Sequence, residues 1–77
     1  MAVISVIVQA HDDCGGLVSE GLSSLTGVSV YGIKEDQVVT VLEGDNMEDV
    51  NVLMRQIRDI PEVIGVFPVY GTDYDNA

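Results

Sequence analysis

The chain has 77 residues, 13 acidic and 3 basic, for a net charge of −10. A chain of this length buries only about 60% of its unfolded surface and supports one core, not two. Hydrophobic content of 47% with 21% charged residues excludes disorder, and the scarcity of Lys and Arg excludes a nucleic-acid partner or an anionic membrane surface.

In chain order, Val3 to Gln9 alternates as a first strand, with Ile4, Val6 and Val8 on one face. Asp12 or Asp13 is expected to cap a first helix that carries Leu17, Val18, Leu22 and Leu25 at helical spacing. That helix is weak by propensity, because Gly15, Gly16 and Gly21 each cost roughly 0.5–1 kcal/mol relative to Ala. Thr26-Gly27 closes it, and Val28 to Ile33 follows as a second strand rich in β-branched residues. Lys34-Glu35-Asp36 is a polar turn into a third strand, Val38 to Glu43.

After Gly44, the spacing of Asp45 and Glu48 predicts a capping box for a second helix from Met47 to Asp59. Met47, Val50, Leu53, Met54, Ile57 and Ile60 form its apolar stripe. Pro61 ends this helix, and Val63 to Tyr70 is the fourth strand, placed at a sheet edge because Pro68 lacks a backbone donor. Residues 1–71 make a single domain, and 72–77 are expected to form a loose acidic tail.

The order is β-α-β-β-α-β, with Leu25-Thr26-Gly27-Val28 and Ile60-Pro61-Glu62-Val63 as one helix-to-strand junction used twice. This is the pattern of the α+β ferredoxin-like sandwich, a four-stranded antiparallel sheet of order 4-1-3-2 with both helices on one face. Two helices cover one side of such a sheet, so the other side is the expected site of function.

Alternation assigns Ser5, Ile7 and Gln9 of the first strand to that open side. With Thr40 as the polar marker of the third strand, its open set is Val38, Thr40 and Leu42. The second strand contributes Ser29, Tyr31 and Ile33, and the fourth Ile64, Val66, Pro68 and Tyr70. These residues together make a patch too apolar for a bare surface, so a partner is expected to cover it, either a second copy or a foreign ligand.

Chemistry is sparse. His11, Asp12, Asp13 and Cys14 are consecutive at a strand-to-helix turn and cannot all converge on one ion, so no metal and no cofactor is expected, and Cys14 is read as a small packed hydrophobe. Gly15-Gly16 has no basic partner and makes no phosphate loop, and no catalytic constellation assembles, so the chain is not read as an enzyme. The lone Cys14 favours a reducing compartment, and the apolar start is too short for a signal peptide or a membrane span, which together imply a soluble cytoplasmic protein.

The segments Ser5-Val6-Ile7-Val8-Gln9-Ala10, Leu25-Thr26-Gly27-Val28, Val38-Val39-Thr40-Val41-Leu42-Glu43-Gly44 and Gly65-Val66-Phe67-Pro68-Val69-Tyr70 resemble the NapD family of small cytoplasmic assembly chaperones of periplasmic nitrate reductase. Thr26 and Gly71 depart from that pattern, where the family often has Pro and His. The resemblance implies the ferredoxin-like fold and binding of the twin-arginine signal peptide of the reductase catalytic subunit, delaying export until its cofactors are inserted. It implies that Ser5, Ile7 and Gln9 belong to a peptide platform, with Tyr31, Ile33, Val38, Thr40, Leu42 and Tyr70 as further candidates.

Acidic groups bind guanidinium in charge-assisted, often bidentate pairs. Glu35, Asp36 and Glu43 flank the central third strand and are the arginine-pairing candidates. Asp12, Asp13, Glu35, Asp36 and Glu62 gather at one end of the sheet, and Glu43, Asp45, Asp73 and Asp75 at the other; the sequence does not choose between the ends. The alternative functions are a small-molecule-sensing or homodimerising regulatory module of the amino-acid-binding type, and an acidic subunit that masks a basic surface. The expected state is a monomer or weak homodimer.

Overall fold

The computed structural model describes residues 1–73, excluding the side chains of Tyr70, Thr72 and Asp73; positions 74–77 of the expected tail, Asp75 among them, lie outside the described residues. The elements are β1 (Ala2–Ala10), α1 (Gly15–Ser23), β2 (Val28–Lys34), β3 (Gln37–Gly44), α2 (Met47–Arg58) and β4 (Val63–Asp73). They form one antiparallel sheet of order β2-β3-β1-β4, the 4-1-3-2 arrangement of the ferredoxin-like sandwich. β4 is an edge strand, as Pro68 requires, and it continues past Tyr70: Thr72 pairs with Val3 and Asp73 with Ala2.

Strict alternation in β1 produces the core. Ala2, Ile4, Val6, Val8 and Ala10 are buried, and each residue between them is half-buried on the opposite side. Val18 and Leu22 of α1 and Val50 and Ile57 of α2 pack on the buried side with Val28 and Val66. Leu25, Met47, Leu53, Met54 and Ile60 surround that cluster, so the α2 stripe faces the core as its spacing predicts. Cys14 also packs there as a partly buried side chain.

Both helix starts differ from expectation. The residue capping α1 is Cys14, with no side-chain bond, while Asp13 sits at φ 66°, a left-handed conformation that turns the chain before the helix begins. The acceptor for the first helical N–H comes instead from the β2–β3 turn, where Asp36 Oδ1 accepts from Gly15 N at 3.4 Å. α1 ends at Ser23, short of Leu25, and Ser24 Oγ donates to Gly21 O at 2.7 Å as it closes. In α2 the capping residue is Asn46 rather than Asp45, its Oδ1 accepting from Asp49 N at 3.0 Å. Glu48 and Asp49 in the first turn and Arg55 and Arg58 in the last complement the helix dipole.

The two junctions match in their hydrogen bonds as well as in sequence. Val28 N donates to Leu25 O and Val63 N donates to Ile60 O, closing the same turn twice. The third residue of each junction then receives a bond from the opposite half of the chain: Glu43 N to Gly27 O at 2.8 Å, and His11 N to Glu62 O at 2.9 Å. The first junction has no room for a side chain. Gly27 has φ +85°, and a Cβ there would lie 2.7 Å from Glu43 O.

Candidate functional site

The helices leave one face of the sheet open, and the register identifies its residues, because directly opposed residues of an antiparallel pair share a face. Val3, Ser5, Ile7 and Gln9 of β1 stand opposite Glu43, Val41, Val39 and Gln37 of β3. This corrects the expected third strand. Val38, Thr40 and Leu42 stand opposite Val8, Val6 and Ile4 and are fully buried beneath the helices. Thr40 is no marker of solvent, because its hydroxyl donates to Val38 O at 3.3 Å inside the core and its methyl fills the packing.

β2 is displaced by a bulge. Val30 pairs with Thr40 and Gly32 with Val39, leaving Tyr31 as the extra residue beside the open face, 73% exposed. The added residue reverses the alternation that follows, so Ile33 stands opposite core-side Val38 rather than on the open face; only its edge position leaves it half exposed. Ser29 is on the open side opposite Val41, and Lys34 is on that side opposite Gln37.

β4 carries two such irregularities, with Ile64 and Val69 as its extra residues. Val66 pairs with buried Val8 and Pro68 with buried Val6, so neither belongs to the open set expected of them. The strand gives the open face Gly65, opposite Gln9, and Phe67, opposite Ile7. Phe67 was hidden from parity by the bulges. Its ring lies back over Gly65, whose missing side chain makes the space: a Cβ there would meet the ring Cζ at 3.0 Å. Tyr70 pairs with Ser5 through its backbone, and its side chain lies outside the described residues.

The assembled face is an apolar strip of Val3, Val41, Ile7, Val39 and Phe67, with Tyr31 at its margin. At one end a carboxamide pair terminates the strip. Gln37 Nε2 donates to Gln9 Oε1 at 3.1 Å, and Gln9 Nε2 donates to Ala10 O at 3.1 Å and to Asp36 O at 3.4 Å. Gln9 is therefore held on both sides of its amide.

The three acidic candidates are in different circumstances. Glu35 is exposed at the tip of the β2–β3 turn with φ 58°. Asp36 is half-buried and its carboxylate serves the start of α1. Glu43 alone of the three is on the open face, exposed opposite Val3. Glu43 also lines, with Gly27, Asp45, Asp49 and Val52, a shallow cleft of about 330 Å³ between β3 and α2.

His11, Asp12 and Asp13 are exposed in the loop after β1. Among the described residues no three His, Cys, Asp or Glu side chains gather closely enough to hold a metal ion. Among those residues, too, no helix is long and apolar enough to cross a membrane. What the open face offers is contact area along the sheet and charge at its ends.

No curated protein matches this chain. Among solved structures, the solution structure of the E. coli Tat proofreading chaperone protein NapD is similar to it with a TM-score of 0.83 and 23% identity, over 97% of this chain and 81% of that one. At that identity the likeness establishes the fold. The family model described as NapD protein matches residues 1–73. With the match extending from the first residue to the last residue of β4, the chain belongs to the NapD family.

Proposed function

We propose that this protein is a chaperone of nitrate reductase maturation that holds a twin-arginine signal peptide against its open sheet face. Family membership supports the chaperone role, and the solved relative is named as a Tat proofreading chaperone. The observation that carries the peptide reading is the uncovered strip of Val41, Ile7, Val39 and Phe67 on a domain of net charge −10. A signal peptide presents the complement: an apolar stretch preceded by basic residues. Its apolar side would replace water over the strip, and its guanidinium groups would find carboxylates at the sheet's end. While so held, the leader would be withheld from export, on the cytoplasmic side of the membrane.

Calorimetric titration with a synthetic peptide of two consecutive arginines and an apolar segment tests this. Micromolar or tighter binding is expected at low salt, weakening as salt rises and on replacing both arginines by Gln. An absence of binding at low salt overturns the proposal. A stable homodimer whose sedimentation is unchanged by the peptide would favour self-association as the use of this face.

A further inference from the structure

The two helices are stabilised unequally. α2 has a side-chain cap from Asn46, acidic residues in its first turn and basic residues in its last, whereas α1 is capped by Cys14 without a side-chain bond and has neither kind of charge at its ends. With nine residues, α1 is too short to persist without tertiary contacts. Three of the nine are glycines, and packing accounts for one. Gly15 is buried, and a Cβ there would lie 3.0 Å from Glu35 O and 3.4 Å from Asp36 Cα, whereas a Cβ at Gly16 or Gly21 would meet nothing within 4 Å. Gly16 and Gly21 therefore weaken the helix with no steric demand for them. Of the two helices, α1 is the one that opens locally at low cost.

The start of α1 is held by the β2–β3 turn. Glu35, at φ 58°, brings the backbone of that turn against Gly15, and Asp36 Oδ1 accepts from Gly15 N at 3.4 Å. Asp36 is fixed in turn from β1, where its carbonyl oxygen accepts from Ala10 N at 2.8 Å and from Gln9 Nε2 at 3.4 Å. Gln9 belongs to the open face, and its Oε1 is held there by Gln37 Nε2. One continuous set of bonds thus runs from the carboxamide of Gln37, through Gln9 and Asp36, to the first N–H of a helix on the other side of the sheet.

Water competes for these bonds while the face is bare. Gln37 is exposed and Gln9 half-buried, so a segment laid over them removes that competition and strengthens the bonds in drier surroundings. The gain reaches the residue that anchors α1, and a helix with a local opening equilibrium converts it into a smaller open population.

We propose that the β2–β3 turn couples the open face to α1, so that covering Gln9 and Gln37 slows the opening of α1 on the far side of the sheet. The part played by a covering partner rests on the peptide-binding reading above; the link from Gln9 to α1 is present without one. Gln9 is then a positioning residue that acts on α1 through Asp36. α1, with Leu17 exposed on its outer side, differs between the empty and the occupied protein.

Amide hydrogen exchange followed by NMR on the isotope-labelled full chain tests this in two steps. In the free protein, Gln9→Ala is expected to speed exchange at the amides from Val18 to Ser23 about threefold and to leave those from Val50 to Ile57 unchanged. Gly21→Ala is expected to slow the same α1 amides about fivefold, again without effect on α2. No change in α1 from Gln9→Ala, or equal changes in both helices from either variant, overturns the coupling. With a saturating synthetic peptide of two consecutive arginines and an apolar segment, exchange in the parent is expected to slow at least about threefold more in α1 than in α2. In Gln9→Ala the two helices are expected to slow alike. A peptide that binds by calorimetry yet slows both helices of the parent alike overturns the coupling and leaves the peptide-binding reading intact. A peptide that gives no calorimetric binding overturns that reading instead, and the free-protein comparison then decides the coupling by itself.

Discussion

Two adjacent valines on β3 should respond oppositely to the same truncation. Val38 is fully buried beneath the helices, whereas Val39, its neighbour, is 42% exposed on the open face. Val38→Ala removes two methyl groups at about 0.8 kcal/mol each and leaves part of their volume empty, a loss of about 2–3 kcal/mol of stability. For a domain of this size that lowers the melting temperature by about 10–20 °C.

Val39→Ala should lower stability by less than about 1 kcal/mol, the span of strand propensity. Under the proposed peptide-binding function, its effect falls on binding. Full burial of a valine contributes about 1.5–3 kcal/mol, so covering the exposed part of Val39 contributes about 1 kcal/mol and its truncation raises Kd about fivefold. Thermal unfolding by circular dichroism and calorimetric titration at 10 °C separate the two effects. If Val38→Ala melts within about 3 °C of the parent and weakens the peptide, the register is displaced by one residue. Every other side chain of β3 would then face the opposite way.

Three further substitutions test the framework that presents this face. Gly27→Ala should cost at least about 2 kcal/mol in urea unfolding, since φ +85° and a contact of 2.7 Å to Glu43 O both oppose a Cβ; an unchanged midpoint would refute the junction geometry. Asn46→Ala should cost about 1 kcal/mol by loss of the bond to Asp49 N, and Asn46→Asp should restore it. Asp36→Ala should speed amide exchange in α1 without changing α2, because Gly15 N loses its acceptor. Uniform acceleration in both helices would argue against a local role for Asp36.

The architecture and one strand of the site were legible because their signals were local. β1 alternates cleanly, and the α2 stripe has helical spacing, so core and open side follow from each directly. β3 is different, since Val38-Val39-Thr40-Val41-Leu42 is apolar in both parities except for Thr40. The usable signal was at its ends. Gln37 and Glu43 share the parity of Val39 and Val41, and two strongly polar residues outweigh one threonine that can bury its hydroxyl against its own strand. The bulge at Tyr31 and the two irregularities in β4 change which side follows, and a bulge leaves no mark in hydrophobic periodicity. The cap from Asp36 to Gly15 spans 21 residues of sequence, beyond the reach of any local capping pattern.

The interleaved sheet order also bears on when the protein becomes competent. β1 and β4, the first and last strands, are neighbours, and each junction is bonded by the opposite half of the chain. Pairings of such high sequence separation form late and fold slowly for a small domain. Phe67 joins Ile7 only when β4 docks, so the face is incomplete in any chain still lacking its final strand. During synthesis, a fragment ending at α2 would present β1 as a bare edge, so the open face exists only in the finished fold.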